Sequence, residues 1–549
     1  MLDILKDKSR LEEIRTSEKY ALVRKMLIDS YEEFSKKDLH ISFDVEIEFL
    51  KNGNRTEFQD KYFARRTILS ICALLVIIYP DETKYISELE EIICRICNEY
   101  SWQLPAHRPK DNWNRRNDID LFAAETGLYL AEIKYILKDR LNPVMVDRIT
   151  NELEWRIMKS FEANEFWWEK LKSNWASVCS GSVGSVFLYE NAERFKKISS
   201  RITACMENYL SGINDEGSTS EGAGYWSYGF SFYTLYHDLL RRHTDSRIDG
   251  FKNTKVKRLS GFLTNLYFDE DNIVLFSDAA QGTKYPVWLV LFLKNEYGID
   301  LPPKSKGDFS LDKFSSAIRN IIYYDANVFS EFNPSAKIYY KELQWYIEKN
   351  PVYGFAVKGG DNAEEHNHND IGSFMVVHNK HMILSELGAG EYTADYCGDN
   401  RYTCLEPSAA GHSIPIINDI YQQYGKEYYG TTEIKDNTVS VDMKNAYPIE
   451  IPSFTRSFKM HDDKIVLTDK FDSSLNVKER FITEIEPVIV DDNCIKIANV
   501  NLCVSSVWSV NCSQERRKKH DGKTERDIFI LDFSANKQTD RFEMEIKFK

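Results

Sequence analysis

Positive charge is in short supply in this 549-residue chain. Its 71 Lys and Arg stand against 85 Asp and Glu, a formal net charge of −14. General nucleic-acid binders lean the other way, so no nucleic-acid partner is expected, and an anionic ligand would need basic residues gathered in a cleft. The N-terminus, MLDILKDKSRLEEIR, lacks a basic segment followed by an apolar one and does not look like a secretory signal. Long hydrophobic runs are missing too. The longest, ILSICALLVIIY from Ile68 to Tyr79, is too short to span a bilayer and reads as a buried helix. The expectation is a cytoplasmic protein with no membrane segment. The ten cysteines show no disulfide-scaffold rhythm, which suits a reducing compartment. Cys94 and Cys97 form a lone CxxC with helical flanks and are expected to be structural. Nothing in the sequence specifies an oligomeric state.

Aromatic residues are plentiful: 31 Tyr, 31 Phe and 10 Trp. Most should fill cores, and exposed ones make platforms for sugar rings. From about residue 10 to 330 apolar residues recur at three- and four-residue spacing, as in DETKYISELEEIICRICNEY and RFKKISSRITACMENYLSGI. That rhythm suits paired antiparallel helices stacked into a ring or solenoid. A Pro/Gly-rich break, GIDLPPKSKGDFS, and a last helical piece near Lys313–Tyr324 precede a change to period two. IYYKELQWYIE reads as strand, FMVVHNKHMILSE as a hairpin around His378–Lys380, and RFEMEIKF as a closing strand. The basic run ERRKKHDGKTERD reads as a solvated hairpin tip with an Asp-Gly turn. The expected architecture is α+β and multidomain: an (α/α) toroid over 1–330, then an antiparallel β-sandwich over 331–549.

Histidine is scarce, 11 in all, yet two sit one residue apart in HNHND at 366–370. On a strand, His366, His368 and Asp370 would share a face. Two imidazoles on one face suit a metal ion, a catalytic base, or one of each; a pair of hydrogen-bonded core histidines is the alternative. Glu386 on the returning strand and His412 beyond it complete a His, carboxylate, His set for one divalent ion, Zn²⁺ or Mn²⁺. With His368 as a ligand, His366 stays beside the ion and free for chemistry.

HNHNDIGSF, ILSELGAGEYT, DNRYT and SAAGHSIPIIND, in that order, resemble the C-terminal signature of the heparinase II/III-like polysaccharide lyases. WQLPAHRPKDNWNRRNDIDLFAAETG, TNELEWRIMKSFEANEFWWEKLKSNWASVCSGSVG and STSEGAGYWSYGFSFYTLYHDLL resemble its helical half, so the likeness runs over roughly residues 100 to 430. It implies the same two-part fold and β-elimination on a uronic-acid polysaccharide. The C5 proton leaves, the 4-linked oxygen departs, and a 4,5-double bond forms. The resemblance places Asn174 as the group that quenches the uronate carboxylate and Tyr225 as the catalytic tyrosine, with Tyr228 as a competing assignment. One tyrosine can serve as base and acid on a glucuronate; on an iduronate His366 would be the base and Tyr225 the acid.

Trp175 follows Asn174 where some relatives carry His. His107, Arg108, Trp175, Tyr228 and Arg401 are the candidate substrate contacts, His107 and Arg108 within a basic, aromatic loop with Lys110, Trp113, Arg115 and Arg116. Glu221 either orients the site or caps a helix. The ligand set His368, Glu386 and His412 departs from the many relatives with Asp at the middle position. The substrate classes expected are glycosaminoglycans (hyaluronan, chondroitin sulfate, heparan sulfate, heparin). Alternatives are an alginate or oligouronate lyase, a glycoside hydrolase with two flanking carboxylates, or an inactive carbohydrate binder.

Overall fold

The computed structural model describes residues 2, 5, 7–109, 113, 115–325, 328–332, 334–364, 366–393, 395, 396, 398–491 and 493–548. Helices fill the chain up to Phe314–Tyr323, and the first strand of the β half is Ala336–Tyr340. The apolar run at 68–79 lies inside the helix Thr56–Ile78, where residues 64–78 are all buried. Three long helices, Leu121–Leu137, Asn174–Glu190 and Ala223–His243, pack side by side. They form the inner part of an (α/α) toroid. Small residues allow the close approach: a Cβ on Gly184 would lie 2.7 Å from the Tyr236 ring. Among the described residues no helix is long and apolar enough to cross a membrane.

The β half holds antiparallel sheets of nine, five and four strands among the described residues. The five-stranded sheet runs, in spatial order, Ala336–Tyr340, Trp345–Lys349, Tyr353–Lys358, Phe374–His378 and His381–Leu384. Its three middle strands are buried throughout. Alternation explains this. Trp345, Ile347, Ala356, Met375 and Val377 join the core of the helical half. Tyr346, Phe355, Val357, Phe374 and Val376 join the core of the sandwich. Strands buried on both faces carry little polar alternation, so this sheet is the layer that welds the two halves. IYYKELQWYIE is a hairpin across this sheet, not a single strand.

The CxxC cysteines lie at the end of the helix Thr83–Cys97, both as free thiols. Burial pushes the Cys97 thiol up to about 12, as befits an inert core residue. One cysteine expectation fails. Cys494 and Cys503 face each other on neighbouring strands and form a disulfide. Their nine-residue separation hid a pairing that only the hairpin register creates.

Candidate active site at the seam

The seam between the halves is made by two loops in close contact. Ala389 donates its amide to the Ala279 carbonyl at 2.8 Å. Gly388 has φ +60, and a Cβ there would lie 2.2 Å from the same carbonyl, so only glycine admits this approach. The 279 loop also covers Gly222 at the start of the helix Ala223–His243. Tyr225 stands in the first turn of that helix.

HNHND is not a strand. It is a loop ahead of the strand Phe374–His378, and His366 has φ +58, in the left-handed region disfavoured for its side chain. Both histidines nevertheless reach one carboxylate. His366 Nδ1 donates to Asp278 Oδ2 at 2.9 Å, and His368 Nε2 donates to Asp278 Oδ1 at 3.1 Å. Tyr396 and Arg401 donate to Oδ1 at 2.6 and 2.9 Å. Burial alone would raise the Asp278 pKa. The bonds from His366 and His368 and the Arg401 charge overcome it and hold the carboxyl well below its usual range. Asp278 therefore stays ionised and pins the 366–368 loop.

The His366 ring stacks on Tyr225, centroids 4.1 Å apart and planes 25° apart. The Tyr225 hydroxyl lies 3.0 Å from that of Tyr392, whose pKa is raised by burial and by Asp278. Glu221 Oε1 is 3.7 Å from His366 Nε2. Glu221, just ahead of the helix start at Gly222, thus faces the site.

Asn174 is buried in the first turn of Asn174–Glu190. A Cβ on Gly229 would lie 3.1 Å from Asn174 Cβ. Gly229 is four residues beyond Tyr225, so the two share a helix face about 6 Å apart along the axis. The amide, the phenol and the imidazole thus follow one stripe at the seam. Trp175 extends it: its ring lies 4.8 Å from that of Trp167 and 5.2 Å from that of His107. His107 is held by Asp120 at 2.7 Å. Trp167 is 63% exposed, which leaves this aromatic ledge open to a sugar ring.

Two expected substrate contacts, Tyr228 and Arg108, are placed elsewhere, and a third, Arg401, is committed to the protein itself. The Tyr228 hydroxyl is bonded to Glu125, with the Lys313 ammonium 4.0 Å above the ring, in a cavity of about 250 Å³ lined also by Tyr129 and Ser231. Tyr225 does not line that cavity. Arg108 is buried and ion-paired to Glu46 at 2.6 Å, so its guanidinium is committed inside the protein. Arg115 and Arg116 turn to Asp118 and to the Tyr100 carbonyl; Lys110 lies outside the described residues. Arg401 is at the site but serves Asp278 and the Asn367 carbonyl, which makes it a brace for the His366 loop.

A buried group that could hold a metal ion sits directly behind. Ligand atoms of His368, Asp370 and His412 lie within 4.8 Å of one another, all buried. His368 Nδ1, His412 Nε2 and both Asp370 oxygens lack hydrogen-bond partners, though Lys358 Nζ stands 2.7 Å from Asp370. Each imidazole spends its other nitrogen on a carboxylate: His368 on Asp278, and His412 on Glu386 at 2.5 Å. That fixes the tautomers with both lone pairs turned inward, the arrangement metal-ligating histidines adopt. The group fits a divalent ion. Glu386 is not in the gathered set. Its oxygens are taken by Ser373 and His412, so it stands behind the ligands and Asp370 takes its place.

Asp278 and Tyr392 were not singled out in the sequence. Asp278 lies 88 residues before His366 in FSDAAQG, a stretch with no metal- or acid-base spacing to mark it. Tyr392 lies in ILSELGAGEYT with no spacing to a histidine or carboxylate that marks it.

Searches with family models and among curated proteins give no match. Solved structures do. A crystal structure of heparinase III superposes with a TM-score of 0.62 at 14% identity, over 98% of this chain and 91% of that one. The fold is that of the heparinase-type polysaccharide lyases. The heparan sulfate lyase HepC from Pedobacter heparinus gives 0.58 at 13% identity, over 98% and 90% of the two chains. The Streptomyces coelicolor A3 chondroitin AC lyase, solved with chondroitin sulphate, gives 0.55 at 9% identity, over 100% and 82%. The heparinase-type fold accounts for both layers of the molecule, the toroid and the stacked sheets.

Proposed function

We propose that the protein is a polysaccharide lyase that cleaves a uronic-acid polymer by β-elimination, with a glycosaminoglycan as substrate. The supporting observation is the Tyr225–His366 stack across the seam, one helical turn from Gly229, against which Asn174 of the neighbouring helix packs. The Asn174 amide donates to the uronate carboxylate and makes the C5 proton acidic. Tyr225, ionised to the phenolate beforehand, takes that proton; the C5–H electron pair forms the C4=C5 bond as the C4–O4 bond breaks. The same phenol returns the proton to O4 when both groups lie on one side of the sugar. With the opposite epimer, His366 is the base and Tyr225 the acid.

The donor set of two imidazoles and one carboxylate suits Zn²⁺ or Mn²⁺. A bound ion would supply a fixed positive charge behind the 366–370 loop. The hydrolase reading has less support. Both Asp278 oxygens are committed to His366, His368, Tyr396 and Arg401, so Asp278 is not available as one of two carboxylates flanking a glycosidic bond.

The test is to incubate the protein with hyaluronan, chondroitin sulfate, heparan sulfate, heparin and alginate and follow the ultraviolet absorbance of the 4,5-unsaturated uronate. A gain on at least one glycosaminoglycan is expected. A gain on alginate alone would move the substrate class. New reducing ends without absorbance would mean hydrolysis.

A further inference from the structure

The hairpin Trp508–Lys518/Glu525–Ala535 ends in the basic run read above as a solvated tip. The tip does not hang in solvent. Asp521 accepts the amides of Lys523 and Thr524 at 2.8 and 2.7 Å, which sets a defined turn. From it His520 Nδ1 donates to the Gly390 carbonyl at 3.1 Å. The His520 ring meets Tyr392 edge-on, centroids 4.4 Å apart. Lys519 Nζ donates to Gln281 Oε1 at 3.3 Å, on the helical-half loop that carries Asp278. The tip therefore bridges both halves at the mouth of the site.

Its charge is out of character for the chain: six Lys and Arg against three acids between 515 and 526. The arginines are spent, Arg516 on Asp527 at 2.9 Å and Arg517 on Glu515 at 2.7 Å. Lys518 and Lys519 hold carboxylates only at 3.7 and 3.8 Å, on Glu391 and Glu484. Partly exposed pairs at such distances contribute little and yield readily to a competing anion.

We propose that this tip is a recognition element of the groove. Lys518 and Lys519 bind an anionic group, sulfate or carboxylate, on the saccharide next to the scissile bond, and His520 is a positioning residue that holds Tyr392 against Tyr225. The proposal rests on the lyase reading of the site.

The test compares the full-length protein with Lys518→Glu/Lys519→Glu, with His520→Ala, and with a charge control, Lys537→Glu, at the far end of the same strand pair. The lysine variant should raise KM about ten-fold or more and flatten the salt dependence of kcat/KM, as expected when cations that bind a polyanion are lost. A rise confined to chondroitin or heparan sulfate assigns sulfate as the anion; an equal rise on hyaluronan assigns the carboxylate. His520→Ala should lower kcat about ten-fold at near-constant KM, the sign of misplaced reacting groups. His520→Asn, which keeps a donor for Gly390, should recover part of it. A KM shift no larger than that of Lys537→Glu would overturn the recognition role, and unchanged kcat in His520→Ala the positioning role. Should no polymer gain absorbance, the lyase reading fails by itself. Calorimetric binding of chondroitin sulfate and hyaluronan oligosaccharides then decides the tip: weaker binding by the lysine variant supports it, and equal affinity overturns it.

Discussion

The two walls of the site are built differently. On the helical wall, Asn174 and Tyr225 project from the first turns of two packed helices, and backbone geometry alone sets their spacing. On the β wall, His366, Tyr396 and Arg401 stand on loops, and charge holds them: the one carboxylate of Asp278 accepts from all three and from His368. That carboxylate comes from the helical half, so one buried anion ties the loop wall to the rigid one. Substitutions on the helical wall should therefore remove chemistry and leave the fold. Substitutions in the charge cluster should remove both.

The largest effect is expected on the rigid wall. Tyr225→Phe should lower kcat about 10³-fold, within the range for a positioned acid-base group, with an unchanged melting temperature. Asp278→Asn should lower kcat about 100-fold and cost about 3 kcal/mol in urea unfolding, because it strands a buried guanidinium and two histidines. If Asp278→Asn melted like the wild type, the charge-held account of the β wall would fail. Glu386→Gln should weaken divalent-ion binding by about 10–100-fold in calorimetry, as loss of a carboxylate behind a metal-bound histidine does. Asp370→Asn should weaken it further, since Asp370 supplies a ligand atom; the reverse ranking would restore Glu386 to the ligand set.

Smaller effects test the helical side. Burial holds His237, in the Tyr225 helix, down at about 4. Between there and its unfolded value the unfolded chain takes a proton that the folded one refuses. The resulting stability is complete above about pH 6.5 and is lost as pH falls toward 4, a change of about 3 kcal/mol. His237→Gln should flatten the stability profile across that window. The smallest effect on activity belongs to Arg108→Ala. KM should move less than about two-fold, while stability falls about 2 kcal/mol as Glu46 loses its partner. A large KM shift would return Arg108 to the groove.

What could be read in the sequence divides along the same line. Helices announce themselves by period, and Tyr225 and Gly229 share a face because they are four apart. The change to period two was visible in RFEMEIKF, where Phe542, Met544 and Ile546 are buried. The loops carried no such rule. His366 and His368 do meet one partner, but through a left-handed loop, whereas the alternation of a strand had been expected. Asp278 gains its role from a fold-back across 88 residues. Arg108 read as an exposed cation because its partner, Glu46, is 62 residues earlier and carries no signal of its own. The basic hairpin tip looked solvated for the same reason: nothing in ERRKKHDGKTERD shows that Tyr392 lies beside it.

The most direct test of the elimination account is mass spectrometry of the oligosaccharides released from a cleaved glycosaminoglycan, run beside Tyr225→Phe. The account predicts wild-type products that each carry a non-reducing end one water lighter than a hydrolysis product, and no such products from the variant. Products of hydrolytic mass, or undiminished release by Tyr225→Phe, would contradict it.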